Sequence, residues 1–299
     1  MKKWLTLSAV LAAGGLLLLR PQEAAQAVRE GLALCAGTVI PSLFPFFVVV
    51  SLLLQLGLAE ALQGLCGPFM GPLFRMRGVC ALPLLAGLLG GYPAGARTAA
   101  ELFQQGRLSQ REAELLLGFC DNCGPAFLLG YVGAGVLGDA RAGAYLYLIH
   151  VLSALLAGMV LCRLCPGQGP VLPGGRTAAR SVPFPQALTA AGGGAVTATL
   201  NICAFVVLFR VLAALLPPVL PGAALGALEM VTGVSALSPG RAGFVWAGAI
   251  VGWGGLSVHC QALSAAAPLS FRWHWAGKAL QAALSAAMAY GAFPVVFGG

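Results

Sequence analysis

The chain has 299 residues, of which 59% are hydrophobic and only 9% charged, with a mean hydropathy of +0.89. A soluble domain carries about 25% charged residues, and no soluble core of this length hides so much apolar surface, so the solvent must be lipid. The net charge of +8 comes from 17 basic residues scattered singly, with no tract longer than Lys2-Lys3; that excludes a nucleic-acid platform and fits cytoplasmic loop bias.

Lys2-Lys3 followed by the apolar run 4–19 reads as a first membrane helix or as a signal peptide, with Ala25-Gln26-Ala27 resembling a cleavage site. Residues 1–30 form a unit of their own on either reading. Further spanning helices are expected at 32–57, 112–133, 142–162, 187–216 and 277–297. That makes an all-α integral membrane protein with about six spans. The pieces 60–74 and 224–237 are short, rich in Gly and Pro, and read as interfacial or half-helices. The Gly- and Pro-rich stretch 166–186 reads as a flexible linker between a first half, 31–165, and a second, 187–299.

Two apolar runs break in the same way. Gly90-Gly91-Tyr92-Pro93-Ala94-Gly95 follows 79–89, and Gly254-Gly255-Leu256-Ser257 follows 242–253. Each run is shorter than the roughly 20 residues a span needs. Irregular backbone at membrane depth survives only where it is buried in protein or lines a wet cavity. Paired short, glycine-interrupted segments in corresponding halves point to a transporter's binding site. Both 79–106 and 242–268 are therefore expected to be re-entrant helical hairpins.

With Lys2 and Lys3 inside, this topology puts Arg75, Arg77, Arg107, Arg111, Arg163, Arg176 and Arg180 inside as well. Arg272 and Lys278 disagree, falling outside. A weak internal repeat accompanies the breaks. The segment from Thr38 resembles that from Thr199, 161 residues on, and the Gly-Gly breaks at 90 and 254 lie 164 apart. The two repeats start on opposite sides, so they are inverted and their hairpins can meet near the midplane.

Arg97 opens the second arm of the first hairpin, where its guanidinium adds to the positive end of a half-helix and suits an anion. Snorkelling to the interface or an i,i+4 pair with Glu101 is the competing reading. Gly91 and Tyr92 form that hairpin's tip. Phe119-Cys120-Asp121-Asn122-Cys123-Gly124-Pro125 breaks the span 112–133. There Pro125 frees carbonyls, Asn122 can donate and accept, and Asp121 could balance Arg97 or carry a coupling proton or sodium ion; a structural kink is the bland alternative. Ser257, His259 and Gln261 offer hydroxyl, imidazole and amide groups opposite the first hairpin, although an intramembrane histidine equally serves helix packing. Asn201 lies on the helix that begins the second half, and Glu229 is a second carboxylate for ion coupling.

The nine cysteines are odd in number and mostly flanked by apolar residues, which favours buried free thiols. Cys120/Cys123 and Cys162/Cys165 have CxxC spacing but no zinc-ribbon context. No HExxH, GxSxG or phosphate-binding loop is present, and His150 has no carboxylate neighbour, so no enzyme, metal or cofactor is expected.

At Pro41-Ser42-Leu43-Phe44-Pro45-Phe46, Gly90 to Gly95, Phe119 to Pro125 and Gly254 to Gln261 the chain resembles the YlbJ-type sporulation integral membrane proteins, which contain nucleoside-recognition (Gate) domains. The similarity runs over about 30–297. It implies a multi-pass bacterial membrane protein that moves dipicolinate across the forespore envelope by alternating access. Gate domains also resemble the core of concentrative nucleoside transporters, so nucleoside transport and a non-transporting scaffold for spore maturation stay open. Dipicolinate, a planar ring with two carboxylates, suits the residues: Arg97 for one carboxylate, Gln261 and Ser257 for the other, Tyr92 for the ring. The expected partners are the bilayer and a small anionic or aromatic solute, without nucleic acid; self-association stays open.

Overall fold

The computed structural model describes residues 2–165, 183–215 and 222–297, and every regular element among them is helical. The linker expected at 166–186 lies outside the described residues up to 182, and helix begins at Phe184.

α1 (Lys2–Leu19) and α2 (Pro21–Leu34) are separated at Arg20, with Pro21 at a first-turn position where its missing N–H costs nothing. α2 runs through a wide-turned π segment, Cys35–Val39, into α3 (Ile40–Gln55). α4 (Leu58–Phe74) then turns sharply; its axis and that of the helical stretch leading into α5 (Ala81–Gly90) differ by 106°. α5 and α6 (Ala94–Gln104) pack side by side as a hairpin. α7 (Gln110–Leu116) starts at a capping box in which Ser109 and Glu112 satisfy each other's backbone N–H. The chain is then non-helical to Pro125, continues as a π-helix over Ala126–Val136, and returns as α8 (Ala140–Leu164), capped by Asp139.

In the second half come α9 (Phe184–Leu215), a 3-10 turn at Gly222–Ala227, α10 (Met230–Ser235), α11 (Arg241–Trp253), α12 (Gly255–Ala265) and α13 (Arg272–Phe297). The halves clasp each other: α2 and α3 pack on α9, while α8 packs on α13. Two large cores lie towards the two ends of the bundle, beside a small third cluster between α2 and α9. One gathers Phe74, Phe119, Leu161 and Phe271; the other gathers Phe127, Leu146, Phe244 and Val296.

The structure differs from three of these expectations. Residues 112–133 are not one helix, because the break at 117–125 divides α7 from the π-helix. Among the described residues four helices are long and apolar enough to cross a bilayer by themselves, and a fifth crossing is available if α4 and α5 count as one bent span, where about six were expected. The second broken segment is not a hairpin either. α11 and α12 run on together over Arg241–Ala265 as a single 25-residue apolar stretch and do not fold back on one another. Gly254 and Gly255, at φ +90° and +78°, interrupt the hydrogen-bond ladder while the direction is kept. Phe244 at the start of this stretch lies in one end core and Ala266 just past its end in the other.

This crossing removes the anomaly in the charge distribution. Arg272 comes to the end of the bundle that holds Arg111, and the Ser270 N–H donates to Glu114 there at 3.1 Å. Lys278 is not a loop residue; it is fully buried. The same end is tied by Arg77, which donates to the Glu112 carboxylate at 2.7 Å through Nε and to the Arg107 carbonyl at 2.9 Å. Burial pushes the Glu112 carboxyl up, but Arg77 and Ser109 together outweigh it and hold it below its usual value.

Candidate functional site: a cavity between the hairpin tip and the broken span

The first Gly-Gly break exists because backbone must pass where a side chain cannot. α5 and α6 straddle the chain at Cys120, and a Cβ on either Gly87 or Gly95 would overlap the Cys120 carbonyl oxygen. At the tip, Gly91 has φ +75° and faces Gly124, so tip and break interlock backbone to backbone. Tyr92 then reaches across the molecule. Its hydroxyl donates to the Val251 carbonyl of α11 at 3.3 Å and lies against Gly254.

Between the tip and the broken span lies a cavity lined by Gly91, Tyr92, Gly124, Glu229, Ser257 and Gln261, with Leu43, Phe47, Phe127 and Val206 among its apolar walls. About 40 Å³ of it is open to the centre of a water-sized sphere, enough for a few waters and too little for a solute. Ser257 and Gln261 are four residues apart on α12 and so share a face. Gln261 is only 7% exposed, and its Oε1 has no hydrogen-bond partner. Glu229 caps α10, accepting from the N–H groups of Val231 at 3.0 Å and Thr232 at 2.6 Å, and Ser257 Oγ donates to it at 3.5 Å.

Behind Tyr92 runs a buried polar chain. Lys278 Nζ donates to Tyr92 Oη at 3.1 Å and to Gln281 Oε1 at 2.8 Å. Gln281 Nε2 donates to Asn122 Oδ1 at 3.0 Å, and Asn122 Nδ2 to the Phe119 carbonyl at 2.7 Å. His150 Nε2 accepts from the Cys123 N–H at 3.1 Å. Asp121 is fully buried; the Ala96 N–H of α6 approaches its carboxylate, but neither oxygen has a well-formed hydrogen bond or an ion pair.

The structure therefore brings Gly91, Tyr92, Glu229, Ser257 and Gln261 to one cavity, with Asp121 and Asn122 packed behind it. Arg97 stands apart. It is exposed, and lines a recess of about 370 Å³ with Glu101 and Arg107 and a smaller one of about 100 Å³ that reaches Tyr92. It stands on the approach to the cavity, not in it. Asn201 is exposed on α9, whose Ile202 and Val206 line the cavity instead. His259 points away because a helix turns about 100° per residue, which puts it across α12 from Ser257 and Gln261. It packs between Trp253 and Trp275, with ring centroids at 4.5 and 4.4 Å. His274 Nδ1 donates to the Leu117 carbonyl at 3.0 Å, which leaves its Nε2 to accept from His259 Nδ1 at 2.8 Å.

The sequence places none of Lys278, Gln281 and His150 in the site: Lys278 reads as a charge outside the membrane and His150 as a histidine without a carboxylate neighbour. Lys278 and Gln281 lie on α13 and His150 on α8, each flanked mainly by apolar residues. The available signal was the i,i+3 spacing of Lys278 and Gln281, which puts a cation and an amide on one face well inside a span.

Part of the chain is similar to known proteins. Residues 36–138 match the Gate family, described as nucleoside recognition. That region holds the α5–α6 hairpin and the break at 117–125, but not Glu229, Ser257 or Gln261. The sporulation integral membrane protein YlbJ of Bacillus subtilis (strain 168) is 37% identical over 141 residues, covering 47% of this chain and 35% of the relative. The matched region thus spans about a third of that relative's length. No solved structure matches the chain. Over these regions the chain is similar to Gate-domain integral membrane proteins of the YlbJ type.

Proposed function

We propose that the chain is a membrane transporter, not an enzyme, and that it passes a small hydrogen-bonding aromatic solute through the cavity between Tyr92 and Gln261. The observation that carries this reading is the buried, unpartnered Gln261 amide oxygen beside Ser257 and Glu229, in a cavity neighboured by the recesses that Arg97 lines. An orphaned polar group costs about 1–3 kcal/mol, and a scaffold has no reason to keep one. The cavity as it stands is an occluded state; a solute enters when the hairpin tip withdraws from α11.

The groups in the wall favour a neutral, donor-bearing ring of the nucleoside class over dipicolinate. A carboxylate only accepts hydrogen bonds, so a dicarboxylate would set acceptors against Glu229. Dipicolinate remains the second reading because Arg97 stands on the approach. A sporulation setting at the forespore envelope rests on the name of the relative.

Counterflow in proteoliposomes with labelled uridine and labelled dipicolinate tests this. Exchange of one solute above protein-free vesicles, weakened in Gln261→Leu at solute concentrations below KM, is the expected result. Exchange of neither returns the protein to the scaffold reading.

A further inference from the structure

Resting on the transport reading, we propose that Asp121 is a proton-coupling site, balanced by Lys278 and uncovered by the same hairpin movement that opens the cavity. Two charged side chains lie fully buried at the centre of the bundle, and neither has a direct ion pair. Lys278 is satisfied by neutral groups, Tyr92 and Gln281, with its ammonium 5.0 Å from the centroid of the Tyr92 ring. Asp121 acts on it through space. Buried unpaired charges are expensive, and inside a membrane they mark ion pathways and proton relays.

The placement ties this pair to the transport path in two ways. Tyr92 is the side chain shared by the cavity and the Lys278 bond, so movement of the tip breaks or remakes that bond. The hairpin also grips the Cys120–Asp121 backbone between Gly87 and Gly95. Withdrawal of its arms therefore exposes Asp121 to water together with the cavity. The charge on Lys278 is felt by Asp121, Cys120 and Cys123 on the break, by His150 on α8, by His259 on α12 and by His274 on its own helix. Of these, Asp121 is the one carboxylate. The step is a plain proton transfer: hydronium on one side gives its proton to the Asp121 carboxylate, leaving water, and the carboxylic acid returns it to water on the other side.

A pH gradient across proteoliposomes tests this, with uridine or dipicolinate as probe, whichever undergoes counterflow. Wild-type protein is expected to accumulate the probe against its gradient, up to about tenfold per pH unit for one proton per neutral solute. The side of accumulation reports whether proton and solute move together or oppositely. Asp121→Asn is expected to retain counterflow and lose gradient-driven accumulation, and Asp121→Glu to restore accumulation. Wild-type counterflow without accumulation would overturn the proposal, and so would accumulation by Asp121→Asn equal to wild type. If Asp121→Asn and Asp121→Glu both lose counterflow, the carboxylate is structural and the proposal falls. Absence of counterflow in the wild type brings down the transport reading itself.

Discussion

Gly277 of α13 lies directly on the carbonyl of Gly118, so closely that a Cβ at 277 would overlap the oxygen. This contact sets how near α13 comes to the break, and so whether Gln281 and Lys278 reach Asn122 and Tyr92. Gly277→Ala is expected to cost about 1–3 kcal/mol or more through overpacking. Thermal unfolding in detergent checks it, with Gly291→Ala, which meets nothing within 4 Å, as the matched control on the same helix.

The Arg77–Glu112 pair makes stability depend on acid. The Glu112 carboxyl sits below its ordinary 4.5 in the folded protein, so its contribution is complete above that value and is lost as pH falls through the lower, folded one. The two side chains are 13% and 14% exposed, which places the pair between a surface and a buried bridge. Glu112→Gln is expected to lose about 1–3 kcal/mol at neutral pH and to show a flatter loss of stability on acidification than wild type. Melting profiles at neutral and acid pH give both quantities.

Gln261 and His259 are two residues apart, yet face different surroundings. Gln261→Leu removes a group from the cavity wall and is expected to raise the KM for solute by up to about tenfold, the worth of one hydrogen bond. His259→Phe leaves the cavity and is expected to lower stability without moving KM, since it breaks the bond to His274 inside the tryptophan cage. Measuring KM and melting temperature for both variants separates the two effects.

The path of α11 and α12 predicts where the loops emerge. Short epitopes inserted at 105 and 267 are expected to be reached from one side of the membrane, and one at 238 from the other. Antibody access in intact and opened spheroplasts reads this directly. Finding 238 and 267 on the same side would restore a hairpin at the second break.

Much of this was legible in the chain. Length of apolar run and charge bias gave the membrane class, and the glycine pairs at 90 and 254 located both walls of the cavity. The sequence could not show that identical-looking breaks do different things. A glycine pair marks backbone leaving the helical ladder; whether the next helix returns or continues depends on what it packs against. Here α6 packs on α5, whereas α11 packs on α13. The mismatch of Arg272 with the charge rule was the trace of this difference. Asn201 and His259 were misplaced for a simpler reason: polarity was readable, but facing depends on helical phase once the helix bounds are known. Lys278 looked like a loop charge because its partners, Tyr92 and Gln281, come from distant and near parts of the chain and are neutral.

The two walls of the cavity have unequal freedom. A folded-back pair of helices has both feet on one floor and can retract only towards that floor, like a plunger. A helix that runs through from one floor to the other is fixed at both ends and serves as the sleeve. On the transport reading proposed above, α5 and α6 are therefore the moving part, and α11 and α12 the surface they move against.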